Sequence, residues 1–343
     1  MKIVAFAALA LLAGAADPPW DWGDADDEWT SSPGFDSSKS LCRRLRDREP
    51  PAGDRPDAAT AAALQGCDSE ALYYGIGVPA DPARARQCAF LEGDREDGEG
   101  PFSGRAMLMT IYANGVGARR DLDVAIHLAC GVDGAPMESH GRVTHLAELK
   151  AEGAAGSDFH FCDDITSGLA GGYCAHHGAR IAGAARAAAL AALTAGWSEA
   201  EKQALGRLRR AHATYAEARS GGEIDLGGTL RAAFQVEAEE ALNDELLDML
   251  RGLAAGDAPR FTAAQFRAAD AGLNAEYRKR MRGPFDDYPG AVTREGIRSA
   301  QRAWLGYRDA FLAFAAVKFP QMPRDSLAAW LTRQRTGLLR QEE

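Results

Sequence analysis

The stretch REGIRSAQRAWLGYRDAFLAFAAV, Arg294 to Val317, decides the fold class. Its apolar residues Ile297, Ala300, Trp304, Tyr307, Phe311 and Phe314 recur every three or four positions, which makes one stripe on a helix rather than the alternation of a strand. Upstream, Asp270, Leu273, Asn274 and Tyr277 stand at i, i+3, i+4 and i+7, so they share a helix face. Gly283-Pro284 and Pro289-Gly290 break the chain between the two segments, and the spacing predicts a helical hairpin. From residue 180 onward the chain is rich in Ala, Leu, Arg and Glu, with few prolines before Pro259. The expected fold is all-α: a short αα-repeat solenoid followed by a helical hairpin or bundle.

The solenoid comes from an internal match in the N-terminal half. A shift of 40 residues aligns Leu72–Asp81 (LYYGIGVPAD) with Tyr112–Asp121 (YANGVGARRD), and Ala85 with Ala125. Each unit reads as helix, glycine turn, helix. Gly75, Gly77, Gly115 and Gly117 permit positive φ at a helix end, and Asp81 and Asp121 are placed to cap the helix that follows. At these residues the segment resembles the Sel-type repeats, a tetratricopeptide-like family with a Gly-x-Gly-Val loop. The resemblance spans 60–140 and implies a protein-binding or scaffolding role. Two units fall short of an ordinary solenoid, so the flanking segments are expected to cap them.

In the other half, Asp270-x-x-Leu273-Asn274-x-x-Tyr277 and Ala300-Gln301-Arg302-Ala303-Trp304-Leu305-Gly306-Tyr307-Arg308-Asp309-Ala310 resemble the signature of the LprI-like family, which is named for a lysozyme inhibitor. A further shift of 89 residues sets Leu208, Ala211, His212, Tyr215 and Arg219 on Ile297, Ala300, Gln301, Trp304 and Arg308, which suggests a degenerate first copy ahead of the second. Across the expected hairpin, Gln301 and Arg308 are the right types to meet Asn274 and Asp270 in a buried polar knot. Trp304, Tyr307 and Tyr277 are read as core.

Six cysteines, Cys42, Cys67, Cys88, Cys130, Cys162 and Cys174, suit an oxidising compartment and three disulfides. Cys162 and Cys174 are paired by proximity; the resemblance likens them to the family's paired cysteines. Cys67 with Cys88 and Cys42 with Cys130 is the working assignment among several open ones. His160, His176 and His177 near the last pair could ligate zinc, but the two cysteines lie too far apart in sequence for a structural zinc site, and no metal is expected.

Residues 1–16 carry Lys2, an apolar run from Ile3 to Leu12 and then Ala13-Gly14-Ala15-Ala16, the layout of a cleaved secretory signal. The formal charge of −10 is unevenly spread. Residues 17–36 hold seven acids and no base among Trp20, Trp22, Trp29 and Phe35, and read as a disordered acidic leader, whereas 260–343 hold 15 basic and 9 acidic residues. The domain plan is therefore signal 1–16, leader 17–36, repeat domain 37–155, degenerate LprI-like region 156–255 and LprI-like domain 256–343.

Nothing in the chain pairs a nucleophile with a base, and Glu237, Glu239, Glu240, Asp244, Glu245 and Asp248 read as the exposed face of an amphipathic helix. No Gly-rich segment has the Lys-Ser/Thr of a phosphate loop. The sequence thus points to an exported, non-enzymatic binding protein, periplasmic or secreted, with no cofactor, no nucleic acid and no membrane span. Its partner is expected to be a protein: lysozyme or another lytic enzyme if the LprI resemblance leads, another envelope protein if the repeats lead.

Overall fold

Two apolar cores organise the chain in the computed structural model, which describes residues 20–95, 100–153, 156 and 159–341. The expected signal, 1–16, lies outside the described residues. Among those residues the chain is all-α, with no strand. The helices are α1 (Asp36–Leu45), α2 (Ala58–Ala63), α3 (Ser69–Tyr74), α4 (Pro82–Gly93), α5 (Gly104–Asn114), α6 (Leu122–Cys130), α7 (Pro136–Ala151), α8 (Gly168–Thr194), α9 (Glu199–Gly222), α10 (Arg231–Ala255), α11 (Ala263–Arg282), α12 (Arg294–Lys318) and α13 (Arg324–Gln341).

The first core gathers Phe90, Met107, Tyr112, Ile126, Val143, Leu146 and Phe161 from α4 to α7 and the segment after them. Its two glycine loops are built alike. Gly75 ends α3 and Gly115 ends α5 in the left-handed region, at φ 74° and 66°. The Asp81 N–H then donates back to the Leu72 carbonyl at 2.8 Å, and the Asp121 N–H to the Tyr112 carbonyl at 3.1 Å. The Asp81 carboxylate accepts from the Arg84 N–H and the Asp121 carboxylate from the Asp123 and Val124 N–H groups, each at 3.1 Å, which caps α4 and α6. Disulfides join Cys42 to Cys130, Cys67 to Cys88 and Cys162 to Cys174.

The leader departs from expectation. Residues 20–35 fold onto this core instead of standing free in solvent. Trp22 is 0% exposed, its N–H donates to the Cys130 carbonyl at 2.7 Å, and its indole N–H donates to Ser38 Oγ at 2.9 Å. Phe35 packs edge-on to it, 5.3 Å between centroids. The acids and carbonyls of the leader meet basic residues of α1 and the residue after it: Arg46 pairs with Asp24 at 2.6 Å, Arg43 donates to the Gly23 carbonyl and Lys39 to that of Ala25. Burying a tryptophan removes a large apolar area from water, which outweighs the disorder expected from composition.

The second core is the C-terminal bundle, where Leu208, Tyr215, Leu250, Trp304, Phe311, Phe314 and Leu331 meet. The expected hairpin of α11 on α12 is not its architecture. The main partner of α12 is α9, and that of α11 is α13. Helix α8 packs on α10 in the same way, so α8-α9-α10 and α11-α12-α13 repeat one order, each with its first helix on its third. The two middle helices, α9 and α12, pack against each other between these pairs.

Candidate functional site

The stripe of α12 is fully used by the fold. Ile297, Trp304, Tyr307, Phe311 and Phe314 are all buried, with Tyr307 stacked on Tyr215 of α9 at 5.6 Å and Trp197 stacked on Phe314 at 5.8 Å. Where α9 ends, its backbone nearly touches the start of α12: a Cβ on Gly296 would lie 2.3 Å from the Gly222 carbonyl oxygen. Burial holds the Tyr307 phenol well above its ordinary pKa and raises that of Tyr215 to about 12, so both remain neutral.

A buried charge cluster ties the two three-helix sets together. Arg335 of α13 and Glu223, the residue after α9, both have side chains that are 0% exposed. The guanidinium donates to both Glu223 oxygens, to Gln301 Oε1 of α12 at 3.0 Å and to the Tyr215 hydroxyl at 3.4 Å. Burial works against the Arg335 charge, but the Glu223 hydrogen bonds overcome it and keep the group protonated. Neighbouring His212 donates from Nε2 to the Leu242 carbonyl at 3.0 Å, and burial lowers its pKa to about 4.

The expected polar knot is therefore replaced by another. Gln301 serves Arg335, while Arg308 lies 5.2 Å over the Trp304 ring and pairs with its neighbour Asp309 at 3.2 Å. Asn274 is exposed and donates to the Asp270 carbonyl at 2.8 Å and to its carboxylate at 3.1 Å, one helical turn back. The physical reason is topological: the main partner of α11 is α13 rather than α12, so Asp270 and Asn274 bond to each other, while buried Leu273, 2% exposed, and half-buried Tyr277 and Phe266 pack on the core. The acidic face of α10 is also only partly a solvent face. Arg186 of α8 bonds Asp244 at 2.8 Å and bonds Glu240, and Glu239 accepts from Ser220 Oγ at 2.7 Å. Half-buried Glu245 has its pKa raised by desolvation.

A histidine relay joins the first core to α8. The Cys162 N–H donates to His160 Nδ1 at 3.1 Å, so the His160 proton sits on Nε2. That proton faces His177 Nε2 at 3.2 Å, which leaves the His177 proton on Nδ1, pointing at Glu70 Oε1 of α3 at 2.5 Å. Both rings are therefore neutral in this arrangement. Arg180 pairs with Glu70 and, at 2.5 Å, with Asp68, which offsets the pull of the Glu70 charge on the imidazole. Phe102 stacks on His177 at 3.9 Å and Tyr74 meets it edge-on. No sequence signal identified Glu70, Glu223 or Arg335, because partners distant in the chain carry no periodicity of their own.

No helix among the described residues is long and apolar enough to cross a membrane. Comparison with known proteins finds the family described as lysozyme inhibitor LprI matching residues 254–339. No curated protein and no solved structure matches the chain. The segment containing α11, α12 and α13 is thus similar to the lysozyme-inhibitor LprI family.

Proposed function

We propose that this chain is an exported, non-enzymatic binding protein of the cell envelope that inhibits a lytic enzyme, lysozyme being the first candidate. The family match over 254–339 carries this reading. The three disulfides and the signal-like residues 1–16 support an oxidising compartment. With Trp304 and Tyr307 committed to the core, Asn274 is an exposed family-motif residue open to a partner. Titrating the purified chain into a lysozyme lysis assay should lower the rate; an unchanged rate at large molar excess would refute the inhibitor reading. Asn274→Ala, at an exposed position, should weaken inhibition while shifting stability by about 0.5 kcal/mol or less.

A second reading rests on the two like-built glycine loops. We infer that residues 37–155 are Sel-type repeats that hold another envelope protein, with 156–255 a degenerate LprI-like copy beside the 256–343 domain. In a pull-down comparing 37–155 with 156–343, the scaffold reading requires the first fragment to retrieve the partner, and the inhibitor reading requires the second.

A further inference from the structure

At the end of the bundle where the α10–α11 and α12–α13 loops meet, an open cavity of about 720 Å³ lies among Leu253, Pro259, Phe261, Phe319, Met322 and Pro323. Its walls offer few hydrogen-bonding groups. Pro259, Pro320 and Pro323 have no N–H. Ser326 Oγ donates to the Pro259 carbonyl and accepts from the Phe261 N–H at 2.8 Å, so these groups are already paired and the α10–α11 loop is pinned to α13. The Met322 N–H is taken by the Phe319 carbonyl at 2.9 Å. The cavity's volume falls in the range of about 300–1,000 Å³ usual for small-molecule sites, and its lining is mostly apolar.

The charged groups at its edge have one sign. Arg260 and Lys318 line the cavity, and no carboxylate does. Lys318 is engaged by Glu201 at 2.9 Å and stands 4.5 Å over Trp197. Arg260 is exposed and has no ion pair among the described residues. A peptide segment would bring backbone N–H and C=O groups for which these proline-rich walls offer few partners, the Gln321 amide among them. An alkyl chain brings none.

We propose that this cavity binds a medium-chain fatty acid, with the chain between Phe261, Phe319 and Met322 and the carboxylate at Arg260. The site is independent of the lytic-enzyme reading. The test is titration of the full chain with dansyl-labelled undecanoate, read by emission. Saturable binding is expected, displaced by dodecanoate but far less by dodecylammonium, with affinity rising about fourfold per methylene from octanoate to dodecanoate. Met322→Trp, which fills the cavity from a half-buried loop position, and Arg260→Glu, which reverses the exposed charge, should each weaken binding about tenfold. Arg260→Glu touches no core residue, so it reports on the site even if Met322→Trp disturbs folding. Absence of saturation, equal displacement by the cation, or undiminished binding by Arg260→Glu would overturn the proposal. Sedimentation with phosphatidylglycerol vesicles that displaces the probe would overturn it too, since the partner of the cavity would then be a membrane surface.

Discussion

Arg335 and Glu223 show what a single buried charge demands of its surroundings. Removing one partner leaves the other desolvated without compensation, which in comparable settings costs about 3–5 kcal/mol, whereas replacing both by apolar groups is often neutral. Arg335→Met should therefore lower the denaturant midpoint sharply, and Arg335→Met combined with Glu223→Leu should recover most of the loss; equal losses in the two variants would show that the pair is not the cause. The histidine relay yields a prediction in pH. Burial lowers the His177 pKa from 6.5 to about 4 and lowers that of His160 as well. A histidine whose folded-state pKa lies below its unfolded value contributes stability that is complete above the unfolded pKa and is lost as pH falls through the folded one. A proton on His177 Nε2 would face the His160 Nε2–H, donor against donor, and loosen the joint that Glu70, Tyr74, Arg180 and Phe102 complete. Hydrogen exchange in α3 and the first turns of α8 should accelerate, after correction for intrinsic rates, between pH 6.5 and 4. His177→Gln, which cannot titrate, should flatten that dependence, while the acid response of the bundle around His212 persists.

Helix α12 was legible because burying one face imposes a period that sequence records directly, and its stripe from Ile297 to Phe314 is buried as that period requires. Its partner was not legible. Short breaks such as Gly283-Pro284 suggest that neighbours in sequence pack together, and α11 would then lie on α12. The glycines at the α9–α12 crossing explain why another pairing wins. Gly222 and Gly296 let these two backbones approach closely, and that approach places Tyr215 against Tyr307 and Trp197 against Phe314. The same contact makes a paired prediction. Gly296→Ala drives a Cβ toward the Gly222 carbonyl and should destabilise by about 1–3 kcal/mol, as overpacked sites do. Gly306→Ala, on the same helix with open space around it, should instead stabilise by up to about 1 kcal/mol through helix propensity. Thermal unfolding of the two variants should move in opposite directions. A shift of the same sign in both would mean that the crossing tolerates the extra atom.

At the level of the molecule, the charge of −10 is sorted by structure as well as by sequence. The acidic leader looked disordered because Trp22, Trp29 and Phe35 follow no period, and irregular segments that fold against a core leave no periodic trace; the burial of Trp22 and Phe35 goes with the contacts that Lys39 and Arg43 of α1, and Arg46 just after it, make to the leader. The boundary of the family match has a similar lesson. Residues 254–339 include α12, yet the main partner of α12 is α9, from residues 199–222, which lies outside the match. An isolated 256–343 fragment would therefore expose Trp304, Tyr307 and Phe311 and leave Arg335 without Glu223. A contiguous apolar stripe of that size does not stay in water unpaired. The fragment should self-associate, with a second α12 standing in for α9, or fail to fold, whereas 156–343 should be a stable monomer with the full bundle. Light scattering coupled to size exclusion, with circular dichroism at the unfolding transition, distinguishes these outcomes. A monomeric, cooperatively folded 256–343 would show that α9 is dispensable and that the second three-helix set stands alone.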